Sequence, residues 1–174
     1  TGPSPGPEGF GACGVSCGRR GERMDEMIAI LRGLQTGDFF GFRGKHFEIE
    51  RIKLCPVPSR PIPLLIGGHS DAALRRAARL GDGWMHAGGD AVELAKMLAR
   101  LAGLRREHGT ERRPFEIHVI SLDAYTLDGV RRLEDAGVTD AIVGFRNAYE
   151  KDTMTLQQKL DALRGFADRV IAKA

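Results

Sequence analysis

The chain has 174 residues, 42% hydrophobic and 28% charged, with a formal net charge of +3 from 26 basic and 23 acidic residues. That balance suits one globular domain with its own core. The charges are interspersed, with no basic block or aromatic stripe, which argues against nucleic acid as a partner. No apolar run approaches the roughly 20 residues of a membrane span, and the Gly- and Pro-rich first twenty residues lack the apolar core of a secretory signal.

In chain order, residues 1–20 are expected to be an irregular segment, with residues 21–174 forming the folded part. Met24, Met27, Ile28, Leu31 and Leu34 fall at helical spacing and predict an amphipathic helix. Residues 37–50 change period around Arg43-Gly44-Lys45 and read as a hairpin or extended excursion. Glu48 and Glu50 alternate on its wet face. A Pro-rich connector spans Leu54 to Pro63. An alternating rhythm follows: strand Pro63–Ile66 and helix Asp71–Leu80, then strand Gly83–Ala87 and a helix ending near Gly109. Strand Phe115–Leu122 precedes a short helix around Leu127–Ala136. Strand Ala141–Phe145 precedes a last helix with Leu156, Leu160, Leu163, Phe166 and Val170 on one face. Four strand-plus-helix units argue for a parallel α/β sheet, either doubly wound and open or about half of a (β/α)8 barrel.

Cys13, Cys17 and Cys55 are too few for a disulfide framework and suggest a reducing cytoplasm. No metal site is expected, since no second Cys or His pair follows Cys13 and Cys17 at finger-like spacing. The chain opens on Thr-Gly-Pro-Ser-Pro-Gly-Pro, the composition of a loop, a hint that the sequence begins inside a longer protein.

The most informative run is Ile66-Gly-Gly-His-Ser-Asp-Ala-Ala-Leu-Arg-Arg-Ala-Ala-Arg-Leu-Gly-Asp-Gly-Trp84. Gly67 and Gly68 let the backbone bend and approach a ligand, and Ser70 is an N-cap ahead of unpaired first-turn amides. Such a turn favours an anion, most often a phosphate. An ordinary capped strand-to-helix turn would have the same pattern.

Arg23-Met-Asp-Glu-Met-Ile-Ala-Ile-Leu-Arg, Phe42-Arg-Gly-Lys-His-Phe-Glu-Ile and Pro61-Ile-Pro-Leu-Leu-Ile-Gly-Gly, with the run of residues 73–84, resemble the luciferase-like flavin monooxygenase superfamily over residues 20–174. The resemblance implies the C-terminal half of a TIM (β/α)8 barrel, about four βα units, with the cofactor at the C-terminal strand ends. The Gly-Gly-His-Ser form resembles members that use coenzyme F420, while FMN is the alternative cofactor. By the same resemblance Gly67, Gly68, His69 and Ser70 line the cofactor phosphate pocket, and Ala87, Gly88 and Gly89 form a second loop beside it. Strands one to four of the family have no counterpart here. The chain is therefore expected to be part of an enzyme, with the catalytic residues in the other half. The implied function is an F420-dependent oxidoreductase passing a hydride between deazaflavin and a small organic substrate. An FMN-dependent monooxygenase and a non-catalytic flavin-binding half-barrel are the alternatives. The resemblance also suggests a homodimer.

Single residues are less specific. His86 sits near a strand end where barrels build active sites; a packed or cofactor-contacting role outweighs general acid/base work, since no carboxylate partner is visible. Trp84 reads as core or cavity wall. His69 either donates to a phosphate oxygen or faces solvent. Arg75, Arg76 and Arg79 read as a solvated face. Phe145 and Arg146 end the last predicted strand, so Arg146 is a candidate for an acidic group on cofactor or substrate. His46, His108 and His118 carry no signal.

Overall fold

A computed structural model of the chain describes residues 7–146 and 150–173. The segment before residue 20 is not wholly irregular. It holds a short helix, α1 (Pro7–Ala12), with Pro7 in its first position, where the missing N–H and fixed φ suit a helix start.

Helix α2 (Arg20–Leu34) leads into a hairpin of β1 (Phe40–Arg43) and β2 (Glu48–Ile52), paired antiparallel with Arg43 opposite Glu48. The predicted stripe of α2 is only partly turned inward. Ile28 and Ile30 are buried, whereas Met27 and Leu31 are exposed. The hairpin is anchored to α2 by one carboxylate. Glu26 accepts the backbone N–H groups of Lys45, His46 and Phe47 at 2.7, 2.9 and 3.0 Å. Glu22 beside it binds the Lys45 ammonium and the His46 ring.

The rest is a parallel βα succession: β3 (Leu65–Gly67), α3 (Asp71–Leu80), β4 (Gly83–His86), α4 (Ala91–Glu107), β5 (Glu116–Ile120), α5 (Leu127–Asp135), β6 (Asp140–Ile142) and α6 (Leu156–Arg169). A 3-10 turn, Leu122–Tyr125, precedes α5. The sheet order is β3-β4-β5-β6, each strand parallel to the next, with Ile66 opposite Trp84, His86 opposite Val119 and His118 opposite Asp140. Among the described residues no helix is long and apolar enough to cross a membrane.

Strand alternation sorts the sheet into two faces. Ile66, Trp84 and Val119 turn toward α3 and α4 and join Leu74, Ala77, Ala78, Leu94, Leu101 and Leu104 in one core cluster. The alanines of α3 let it lie close to the sheet. Buried Thr110 donates its hydroxyl to the Ala78 carbonyl at 2.8 Å, locking the end of α4 against α3. The other face, with Met85, His118 and Ile142 half-buried and Ile120 exposed, lies open.

Two elements depart from the sequence expectation. Strand β6 stops at Ile142, so Phe145 and Arg146 lie in a bend beyond it. The Tyr125 hydroxyl bonds both the carbonyl and the N–H of Gly144, using the groups that would have continued the ladder. The apolar stripe of α6 forms a helix but buries none of its own residues. Phe166 meets the Tyr125 and Phe145 rings, Val170 just beyond the helix is buried, and Leu156 and Leu163 are exposed.

Trp84 has no exposed surface, and its Nε1–H donates to the Gly68 carbonyl at 2.9 Å. Burying about 150–250 Å² of indole contributes roughly 4–6 kcal/mol as an upper estimate, against about 1 kcal/mol net for the hydrogen bond. Packing therefore supplies the stability and the hydrogen bond sets the ring's orientation. Trp84→Phe, which keeps most of the packing and orphans the Gly68 carbonyl, is expected to destabilise the chain by about 1–3 kcal/mol in urea unfolding.

The hairpin anchor responds to acid. Hydrogen bonds from Lys45 and then His46 hold the Glu22 pKa at about 2. For Glu26, desolvation acts upward, but the amides of His46, Lys45 and Phe47 together bring the pKa below the ordinary value. Carboxylates with depressed folded-state pKa values contribute fully above their unfolded value of 4.5 and lose that contribution as the pH falls toward about 2. Protection of the Lys45, His46 and Phe47 amides against exchange should persist below pH 4.5 and be lost once Glu26 protonates. In Glu26→Ala exchange should be fast throughout.

Candidate cofactor site

The C-terminal ends of β3 and β4 carry two glycine turns side by side. In the first, Gly67 ends β3 and Gly68 takes a φ of 120°, where an added Cβ would stand 2.9 Å from the Ala73 methyl. Ser70 then caps α3, its hydroxyl accepting the Ala73 N–H at 3.3 Å. The two amides before Ala73 have no intrahelical acceptor, as at any helix start. In the second turn Ala87, Gly88 and Gly89 lead to Asp90, whose carboxylate caps α4 by accepting the Glu93 N–H at 2.8 Å.

Charge separates the two helix starts. α4 is capped by the carboxylate of Asp90, which already answers the positive end of the helix dipole. α3 is capped by the neutral hydroxyl of Ser70. The Asp71 carboxylate in its first turn is drawn off by Arg100 and Arg75, which hold its pKa at about 2. The first turn therefore offers the better place for an anion.

Three rings join the turns. Trp84 holds the Gly68 carbonyl, the Ala87 N–H donates to His69 Nε2 at 3.2 Å, and the Gly88 N–H donates to His86 Nδ1 at 3.3 Å. The two imidazoles stack, with centroids 4.7 Å apart and an interplanar angle of 14°. His86 is fully buried, and its Nε2 has no partner within hydrogen-bonding geometry. Burial first, and His69 second, push its pKa down; the Ile120 carbonyl and the Glu93 carboxylate oppose this without prevailing.

The seven residues singled out in the sequence thus fall into two adjacent turns, Gly67–Ser70 and Ala87–Gly89. His86 shares the strand face of Trp84, under the helices, and faces away from the open side of the sheet. That position makes it a packed residue of the turn rather than a proton donor to a substrate on the open face. The sequence reading missed its bond to Gly88 and the bond from Trp84 to Gly68. The available signal was the i, i+2 spacing of Trp84 and His86, which puts both rings on one strand face.

Other candidates resolve differently. Arg75, paired with Asp71 and Glu107, and Arg79, paired with Asp25, lie on the expected solvated face; Arg76 departs from it, its side chain largely covered against Asp25 of α2. Arg146 lies 3.8 Å from Asp152 and donates to the Glu150 carbonyl. His46 and His118 have acidic partners: Glu22 for the first, Glu116 and Asp140 for the second at 2.9 and 3.2 Å. The Glu116, His118 and Asp140 atoms lie within 4.8 Å of one another. The His118 ring hydrogen-bonds Glu116 through Nε2, and Asp140 faces the same nitrogen. A cavity of about 630 Å³, lined by Asp25, Arg32, Arg79, Asp82 and Phe115 among others, lies at the opposite, N-terminal ends of the strands. Barrel enzymes build their active sites at the other end.

The luciferase-like monooxygenase family model matches residues 1–161, extending the resemblance back over the N-terminal segment. Uncharacterized proteins of Mycobacterium bovis and Mycobacterium tuberculosis are 57% identical over 175 residues, covering 99% of this chain and 60% of theirs. The chain thus spans about three-fifths of the length of these relatives. The F420-dependent hydroxymycolic acid dehydrogenase of M. tuberculosis is 32% identical over 83 residues, 48% of this chain and 23% of that protein. The structure of coenzyme F420 dependent tetrahydromethanopterin reductase from Methanopyrus kandleri superposes with a TM-score of 0.62 at 14% identity, over 91% of this chain and 64% of that one. That likeness is one of fold, and it places the four parallel strands as part of a TIM barrel whose lumen is the open face of the sheet. The chain belongs to the luciferase-like monooxygenase family.

Proposed function

We propose that the chain is the cofactor-gripping part of an F420-dependent oxidoreductase that passes a hydride between deazaflavin and a small organic substrate. The observation that carries this reading is the pair of glycine turns at the C-terminal ends of β3 and β4, tied together by Trp84, His69 and His86 beside a neutral-capped helix start. Support for F420 over FMN comes from the F420-dependent dehydrogenase among the relatives.

The residues fit an anionic cofactor tail. Gly67 and Gly68 present backbone without side chains, Ser70 offers a hydroxyl, and the first-turn amides of α3 point from the positive end of the helix dipole. Gly88, with φ 98° and open space around it, forms a bare wall on the other side. The cofactor, when bound, supplies the hydride chemistry, and the protein orients it and excludes water. The chain's own part is binding. By the family resemblance, the catalytic residues belong to other strands of the barrel. A cytoplasmic location is supported by three free cysteines; a homodimer rests on the family resemblance.

Titrating the protein separately with F420 and with FMN tests the reading. Ser70→Ala should weaken F420 binding about tenfold, the worth of one charge-assisted hydrogen bond and a helix cap. Gly68→Asp should abolish it by adding a side chain at a positive φ and a negative charge beside the phosphate. FMN binding without F420 binding would move the assignment to an FMN-dependent monooxygenase. Failure to bind either, or indifference to both substitutions, would overturn the site.

A further inference from the structure

Two histidines from different elements close on the same loop. His69, in the β3–α3 turn, accepts the Ala87 N–H at Nε2, and His86, at the end of β4, accepts the Gly88 N–H at Nδ1. An imidazole nitrogen accepts only when it carries no proton, and a protonated ring has two donors and no acceptor. Both bonds therefore require neutral rings, His69 with its hydrogen on Nδ1 and His86 with its hydrogen on Nε2. Protonating either ring would turn N–H against N–H at the loop. Charging both would set two cations face to face at 4.7 Å.

Within the loop, Gly89 lies against His86 and Glu93, where a Cβ would stand 3.3 and 3.4 Å from their side chains, while Gly88 is open. Gly88 has nothing within 4 Å of where a Cβ would lie, and its φ of 98° is one that L side chains rarely adopt. The Asp90 carboxylate at the loop's end is engaged with the α4 amide of Glu93.

We propose that His69 and His86 are positioning residues that hold the Ala87–Gly89 loop through their neutral acceptor nitrogens, so that protonating the pair frees the loop and weakens the grip on the cofactor. The last clause rests on the cofactor reading above; the hold on the loop does not. The groups facing His86 are His69 from the β3–α3 turn, Glu93 from α4 and the Ile120 carbonyl from β5. Glu93 and Ile120 favour a charged ring, while burial and His69 disfavour it and prevail, so the ring charges below the ordinary histidine value of 6.5. The loop is held above that point and released as the pH falls through it. A histidine acting as a cationic phosphate ligand would have the opposite sign, binding the cofactor more tightly in acid.

Amide-exchange protection of Ala87 and Gly88, measured from about pH 8 to about pH 5 across the histidine range, reads the hold directly. F420 affinity over the same range reads its consequence. Protection at both amides should fall about three- to tenfold on acidification, the worth of one hydrogen bond each, and F420 affinity should fall with it. His86→Asn and His69→Gln put non-titrating amide oxygens near the two accepting positions. Together they should flatten the exchange profile and remove the histidine-dependent part of the F420 profile, leaving only any titration of the cofactor's own groups. Constant protection in the unsubstituted protein, F420 affinity that rises in acid, or an unchanged profile in the double variant would overturn the proposal. If F420 does not bind, the exchange measurement still decides the histidine roles, and that failure belongs to the cofactor assignment. Because the exchange profile of the unsubstituted protein is decisive, the result does not depend on the variants folding.

Discussion

Everything at the C-terminal rim of this sheet depends on the orientation of one buried indole. Trp84 lies opposite Ile66 across the parallel β3–β4 pair, and its only polar atom reaches over the strand end to the Gly68 carbonyl. That bond fixes the peptide at which β3 turns toward α3, and so determines where the Ser70 cap and the free amides of α3 point. The same ring packs near His69 and His86, with centroids 6.4 and 5.6 Å away. The second turn therefore takes its position from the first. A large apolar body with a single N–H suits this place, because burial holds the ring and the donor leaves one arrangement free of an orphaned polar group.

Charge does the complementary work at the other end of the strands. Asp82, just before β4, accepts the Leu64 N–H at 2.8 Å and pairs with Arg32 of α2. Asp25 takes Arg76 and Arg79 of α3. These partly exposed pairs contribute modestly to stability individually, but each joins elements far apart in sequence and so sets how α2 lies on the βα layer. Acidic groups on α2 thus both brace α3 and, through Glu22 and Glu26, hold the hairpin. The site's rigidity comes from the core and its register from these ties.

The distribution of exposed apolar surface follows from the fold. A helix on the outside of a barrel packs against two neighbouring strands and the helices beside it. α6 comes after the edge strand β6, so Leu156 and Leu163 have no described surface opposite them. The open face of the sheet, with Ile120 exposed and Met85 half-buried, is the lumen side of the barrel fold. Charge is tolerated there as well: His118 lies between Glu116 and Asp140, 2.9 and 3.2 Å away, across β5 and β6.

By itself the sequence determined the order and type of the βα units from β3 onward, because alternation and helical spacing are local and Gly, Pro, Ser and Asp mark their ends. Helix α3 runs from Asp71 to Leu80, and its Ser70 cap was readable without coordinates; so were the two glycine turns, since glycine is the residue that tolerates their positive φ. The choice between an open sheet and a barrel was not local, and the family resemblance settled it in favour of the barrel. Only the tertiary structure decided which groups meet. Strand β6 ends early because Tyr125, a residue of another element, occupies Gly144. Arg76 is structural because α2 brings Asp25 to it. His69 and His86 share a loop because β3 and β4 lie side by side in register. Those partners are set by packing between segments distant along the chain, and no pattern within either segment encodes them.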